Sequence, residues 1–390
     1  MKNLLLLIAL WCLLFSCRRK EQSPELIPAN KYTRTEFSGR IVQAIACASG
    51  GFAVSGESGG GTAVFFGRIS DDRRLVQKKE YDPAELRPTD MAELPDGGYI
   101  LVGKVQQANG GFSSKMCVAA RRIDAGGNSV WLNSYGDSVQ HDISPLVVRD
   151  AQNNSVILYK KAVAGNPDGF VLLKLNDDGV MLWRHFYDEL ASETPVDVVA
   201  TPDGGYVVAV RTNQSGTQSY LLKINGNGDK EWRHDIDAGD RQLWITQMLA
   251  SEESEVVLAG LTKTLNNTQP EAWMAKVSAA GVIIWEKQAT TGTVEAFLTS
   301  IHPDGKGGYI TTGYCQDLFP SGPVSIHPVL MSFTGTGALN WQRQFAGSVS
   351  HSGIAAFPRP EGYYLFSSTP IMVATESHYI QHTKADGGLE

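Results

Sequence analysis

The chain has 390 residues, 42% hydrophobic and 19% charged, the composition of a folded body rather than a disordered tail. Its net charge of −7, with no basic stripe, argues against a nucleic-acid binder, which needs cations to meet phosphates. Glycine is abundant, at 40 residues, and that predicts many tight turns.

At the N-terminus, Lys2 is the only charge before an apolar run over 4–15. The run is shorter than the ~20 residues a membrane-spanning helix needs. It has the length of a secretory apolar region. It ends in "LLFSC", where Cys17 follows Ser16. This stretch resembles the lipobox of bacterial lipoproteins. The resemblance implies removal of residues 1–16 and lipid attachment at Cys17, which would tether an otherwise soluble body to a membrane. The alternative is an ordinary signal peptide in which Cys17 is incidental. With the lipid attached at Cys17, Arg18, Arg19 and Lys20 would lie at the headgroups, and 21–30, "EQSPELIPAN", reads as a flexible tether.

From residue 31 onward the chain repeats itself. Gly-x-x-x-Trp ends at Trp131, Trp183, Trp232, Trp285 and Trp341, 49 to 56 residues apart. Short strand-like runs precede each glycine, among them "FVLLKL", "SYLLKI" and "AWMAKV". A second marker, "PDGGY" at 95–99 and 202–206, returns as "KGGY", "SGGF" and "PEGYY". Each unit reads as four strands: a before the Gly-Gly turn, b after it, then c, a glycine turn, and d carrying the tryptophan. The turn glycines supply positive φ. The aromatics Phe52, Tyr99, Tyr206, Tyr309 and Tyr363 open strand b and are placed to pack on a neighbouring unit. In the third and fifth units the turn degenerates to "QNNS" and "EESE".

Four antiparallel strands every ~50 residues is the signature of a β-propeller blade. A sixth unit fits 40–82, with Gln77 in place of the tryptophan. A seventh begins at His351 and stops at Glu390, where its strand d should start. Residues 31–39, "KYTRTEFSG", look like a strand d without a blade. The expectation is therefore an all-β, seven-bladed propeller over 31–390, its last blade completed by this N-terminal strand.

The c–turn–d unit, as in "LLKINGNGDKEWRHD", resembles the repeat of quinoprotein-type (PQQ) propellers. That resemblance implies a tryptophan docking adjacent blades. Quinoprotein dehydrogenases add eight blades, a calcium ion beside the quinone and a vicinal cysteine pair. Here the count is seven, with no Cys-Cys and no acidic calcium loop. The chain thus reads as a lipoprotein propeller with quinoprotein-like repeats, a group that includes non-enzymatic outer-membrane assembly proteins.

In such a ring the a–b and c–d turns share one face, and the b–c and d–a loops share the other. The b–c loops 105–115, 261–271 and 315–327 are long and unlike one another, which places a binding surface there. On the same face, the d–a loops offer a candidate polar group: His141, Asp142, Asp240, Arg241, Trp244 and His351. These suit a sugar or a peptide, or merely cap strand ends. The two histidines lie on different blades with no third ligand, so no metal site is assigned. No catalytic motif occurs, and Asp71–Asp72 and Asp177–Asp178 read as turn formers. Cys47, Cys117 and Cys315 lack metal or disulfide spacing and read as buried thiols.

These features lead to one expected function and one alternative. The first is a non-catalytic binding or scaffold module of the bacterial envelope, anchored at the outer membrane by its lipid, with a protein or glycan partner and no cofactor assigned, calcium and PQQ staying open. The alternative is an enzyme with a central funnel, quinone-dependent or acting on polysaccharide. An enzyme should gather displaced ionisable groups in the funnel, and a scaffold should expose an apolar patch at the rim.

Overall fold

The computed structural model describes residues 25–27, 39–107, 115–135, 143–161, 169–190, 192–212, 219–236, 239, 241–264, 270–289, 295–317, 325–345, 351–368 and 378–389. Among the described residues all regular structure is β. Seven sheets follow one another; the first six have antiparallel strands a, b, c and d in sequence order, and the seventh has a, b and c among the described residues. The innermost strands are Arg40–Ala46, Arg87–Glu93, Ile143–Arg149, Thr194–Ala200, Arg241–Ala250, Glu295–Pro303 and Ser352–Arg359. The seven-bladed propeller expected from the repeat is the fold.

Packing explains why the ring closes. Among the described residues the buried apolar side chains fall into seven clusters, each bridging two adjacent blades. One of them joins blade seven to blade one through Phe357, Tyr364 and Phe366 against Phe52. Strand c is buried along its whole length in blade three (Gly169–Leu175), whereas strand d is exposed or half-buried up to its last residue, Tyr187. A blade on its own would therefore leave both faces wet, and stability is a property of neighbours.

The double glycine has two separate causes. Gly97 takes φ +79°, a left-handed turn conformation. Its neighbour Gly98 has ordinary φ, but a Cβ there would lie 2.5 Å from the Ile123 carbonyl oxygen of strand c. In the degenerate turns Asn153 and Ser254 hold the left-handed position instead, at φ 61° and 59°.

The aromatic after the turn packs backward. Tyr99 meets Phe66 of blade one, with ring centroids 4.7 Å apart. Tyr206, Tyr309 and Tyr363 meet Trp183, Trp285 and Trp341 of the preceding blades. Each tryptophan in turn reaches forward. Trp131 Nε1 donates to the Asp177 carbonyl at 3.0 Å, Trp183 to Gly226 at 3.2 Å, and Trp232 to Ala279 at 3.0 Å, all in the next blade's c–d turn.

Blade seven has three described strands and a single bridge, Thr383↔Leu389, beyond them. Of residues 31–39, expected to complete it, all but Gly39 lie outside the described residues. Within the stretch read as a tether, Glu25–Ile27 forms a short strand. It pairs in parallel with the outer strand of blade six, Glu25 opposite Arg343 and Ile27 opposite Phe345.

Candidate functional site: the axial cavity

The seven inner strands surround a cavity of about 750 Å³ on the propeller axis. Every inner strand carries a bulge at the same level, for example between Pro88 and Asp90, Pro195 and Asp197, Ile245 and Gln247, and Leu298 and Ser300. A bulge puts one extra residue on a strand and sharpens its twist. Here it swings the next side chain sideways, toward the following blade.

In blades one, two, four and five those side chains form latches. Asp90 Oδ2 accepts from the Val147 amide at 2.8 Å, Asp197 Oδ2 from Met248 at 2.6 Å, and Gln247 Oε1 from Ile301 at 2.6 Å. Each carboxylate also accepts the amide of the residue after it, Met91 or Val198. Gln43 Nε2 donates to Asp90 Oδ1 at 2.6 Å. Between blades seven and one, the Ile41 amide donates to Ser368 Oγ at 3.1 Å.

Burial governs the charges. It pushes the Asp90 carboxyl up to about 6 and Asp197 up to about 7, against the opposing pull of their amide donors. His302, which also lines the cavity, is held down at about 4 by burial, so its imidazole is neutral. Its ring lies 4.6 Å from that of Phe357. Around these groups the wall is apolar, with Val42, Val196, Val199 and Ile354.

The residues proposed from sequence do not gather here. His141, Asp142 and Asp240 lie outside the described residues. His351 is buried, its amide bonded to the Ile326 carbonyl at 3.0 Å and its ring edge-on to Tyr379. Arg241 pairs with Glu286 at 2.8 Å. Trp244 is half-buried within its strand. None of the last three lines the cavity. The cavity residues were visible in the sequence only as a polar position inside strand a, as in "VQA", "TDM", "VDV", "TQM" and "TSI".

Other residues singled out in the sequence have definite places in the structure. The three cysteines are buried, with no disulfide. Among the described residues no group of three His, Cys, Asp or Glu side chains could hold a metal ion. Asp71 and Asp177 sit in turns, Asp71 accepting the Gly51 amide at 3.0 Å. The parts of the long b–c loops that are described extend their strands. In blades two, five and six strand b runs nine residues, against six in blade four.

No family model matches the chain, and no curated protein matches it. Solved structures do. A polysaccharide lyase of a new family, an ulvan lyase bound to -[GlcA(1-4)Rha3S]-, superposes with a TM-score of 0.59 at 8% identity, covering 91% of this chain and 96% of that one. The polysaccharide lyase Uly1 gives 0.51 at 12% identity, covering 95% and 94%. A puromycin hydrolase gives 0.50 at 12% identity, covering 90% of this chain and 52% of its own. At such identities the chain shares with them a fold, the propeller.

Proposed function

We propose that this chain is a lipid-anchored binding module of the bacterial envelope that holds a protein or glycan partner on the face bearing its long b–c loops. The observation that carries this reading is the use made of the cavity's carboxylates. Asp90 and Asp197 spend their oxygens on amide latches between blades. Groups committed to the frame are poorly placed to exchange protons with a substrate. The test is retention from an envelope extract. The intact chain should retain one specific protein or glycan, and a variant with 105–115, 261–271 and 315–327 shortened should not. Equal retention by both would end the loop-face reading.

A second reading, a polysaccharide-acting enzyme, draws on the cavity's displaced groups Asp90, Asp197 and His302 and on neighbours whose names include two polysaccharide lyases. It requires release of new chain ends from a polyuronate, abolished in Asp197→Asn. The anchor is a separate proposal. Labelled palmitate should enter the wild type and not Cys17→Ser.

A further inference from the structure

The latch is missing in three blades: the position after the bulge is Leu146 in blade three, Ala355 in blade seven and, as a polar residue, Ser300 in blade six. Ser300 occupies the position that Asp90, Asp197 and Gln247 hold in their blades, directly after the bulge. Its side chain is too short to reach the next blade. Ser300 is 3% exposed, its hydroxyl has no hydrogen-bond partner, and it lines the cavity. A buried hydroxyl left without a partner is destabilising, and a ligand that bonds it recovers that loss.

Other unspent groups face the same space. His302 lies two residues further on the same strand, hence on the same side, while Ile301 between them packs in the interblade core. Among the described residues the ring nitrogens of His302 have no hydrogen-bond partner, and a neutral imidazole offers one donor and one acceptor. Gln247 is fixed by accepting at Oε1, which leaves Nε2 to donate into the cavity it lines. Thr246 and Thr299 give their protons to the Ala259 and Gly353 carbonyls and keep lone pairs to accept with.

We propose that blades five and six form a site, in the axial cavity, for a small uncharged polyhydroxylated ligand such as a sugar or cyclic polyol. Ser300, His302 and Gln247 Nε2 bind its hydroxyls, and Val196 and Ile354 meet its C–H faces. Three arguments select this class. The unspent groups are neutral and include both donors and acceptors, as vicinal hydroxyls require. Asp90 and Asp197 on the same wall disfavour an anion. The volume lies within the ~300–1,000 Å³ range of small-molecule sites. The site is independent of the loop face, so either can fail without the other.

The experiment titrates the full chain with D-glucose, D-mannose and myo-inositol, with D-glucuronate as the charged counterpart. It follows ligand saturation transfer and the imidazole C–H resonances of His302, assigned by their loss in His302→Phe. At least one neutral probe should bind in the millimolar range and shift those resonances. Ser300→Ala should weaken it about 10-fold, roughly one hydrogen bond. His302→Phe keeps the ring against Phe357 and should also weaken it. Should Ser300→Ala not fold, His302→Phe decides alone. The proposal is overturned by no binding of any neutral probe, by unchanged affinity in the folded variants, or by glucuronate binding as tightly.

Discussion

Gly281 shows how one residue joins two blades. It sits in the c–d turn of blade five at φ +82°, and a Cβ there would approach the Trp232 ring of blade four to 3.0 Å. Gly281→Ala meets both a backbone penalty and a steric one and should lower stability by about 1–3 kcal/mol, read from urea denaturation. The cavity carboxyls make a prediction of different form. Asp90 and Asp197 titrate at about 6 and about 7 in the folded chain, raised by burial above the usual carboxylate range. Below their unfolded pKa both states are protonated. From about pH 4 to 7 the folded state binds more protons, so their contribution to stability falls as pH rises. His302, depressed to about 4, acts in the opposite sense, costing stability as pH drops below about 6.5. Asp197→Asn should therefore flatten the fall in urea midpoint toward neutral pH, while His302→Phe should steepen it.

At the scale of the element, the outer strand d decides solubility and the inner strand a decides assembly. In blade three the outer strand exposes Val180, Met181, Leu182 and Phe186, each between 42% and 57%. This apolar stripe lies on the propeller wall, along an edge whose backbone is open to another strand. Replacing Met181 and Leu182 by Lys and Glu should leave the unfolding midpoint within about 0.5 kcal/mol of wild type while reducing self-association on light scattering. The inner strands carry the bulge in every blade. In blades two, four and five the residue after the bulge, Asp90, Asp197 or Gln247, accepts the next blade's amide. Blades three, six and seven place Leu146, Ser300 and Ala355 there, and of these three only Ser300 brings a polar group.

For the whole molecule the question is the seam. Phe52 stacks among Phe357, Tyr364 and Phe366, and the Gly39 carbonyl lies 2.8 Å from His378 Nδ1, so blades one and seven meet by side-chain packing and not by a continuous sheet. If residues 31–38 supply the last outer strand, as the repeat predicts, deleting 18–38 should cost several kcal/mol, a drop of ~10 °C or more. Deleting 18–30, which removes only the short Glu25–Ile27 strand, should shift the midpoint by no more than ~2 °C. Equal effects of the two deletions would rule out closure by 31–38.

Blade number, strand order and the work of the tryptophans and turn aromatics were readable from the sequence alone. They repeat at fixed spacing, and the forces behind them are local or run between neighbouring units: left-handed turns, alternating burial, ring against ring. The site was not readable in the same way. Arg241, Trp244 and His351 were read as polar and aromatic groups of the d–a loops on one face; in the structure Arg241 pairs with Glu286 and His351 is buried. Asp90, Asp197, Gln247, Ser300 and His302 come from four blades up to some two hundred residues apart and share a cavity only because the ring brings their bulges to one level. Each looks in its own strand like an isolated polar residue. Whether it latches, titrates or stays unspent depends on which backbone amide the adjacent blade presents, and only the tertiary structure decides that.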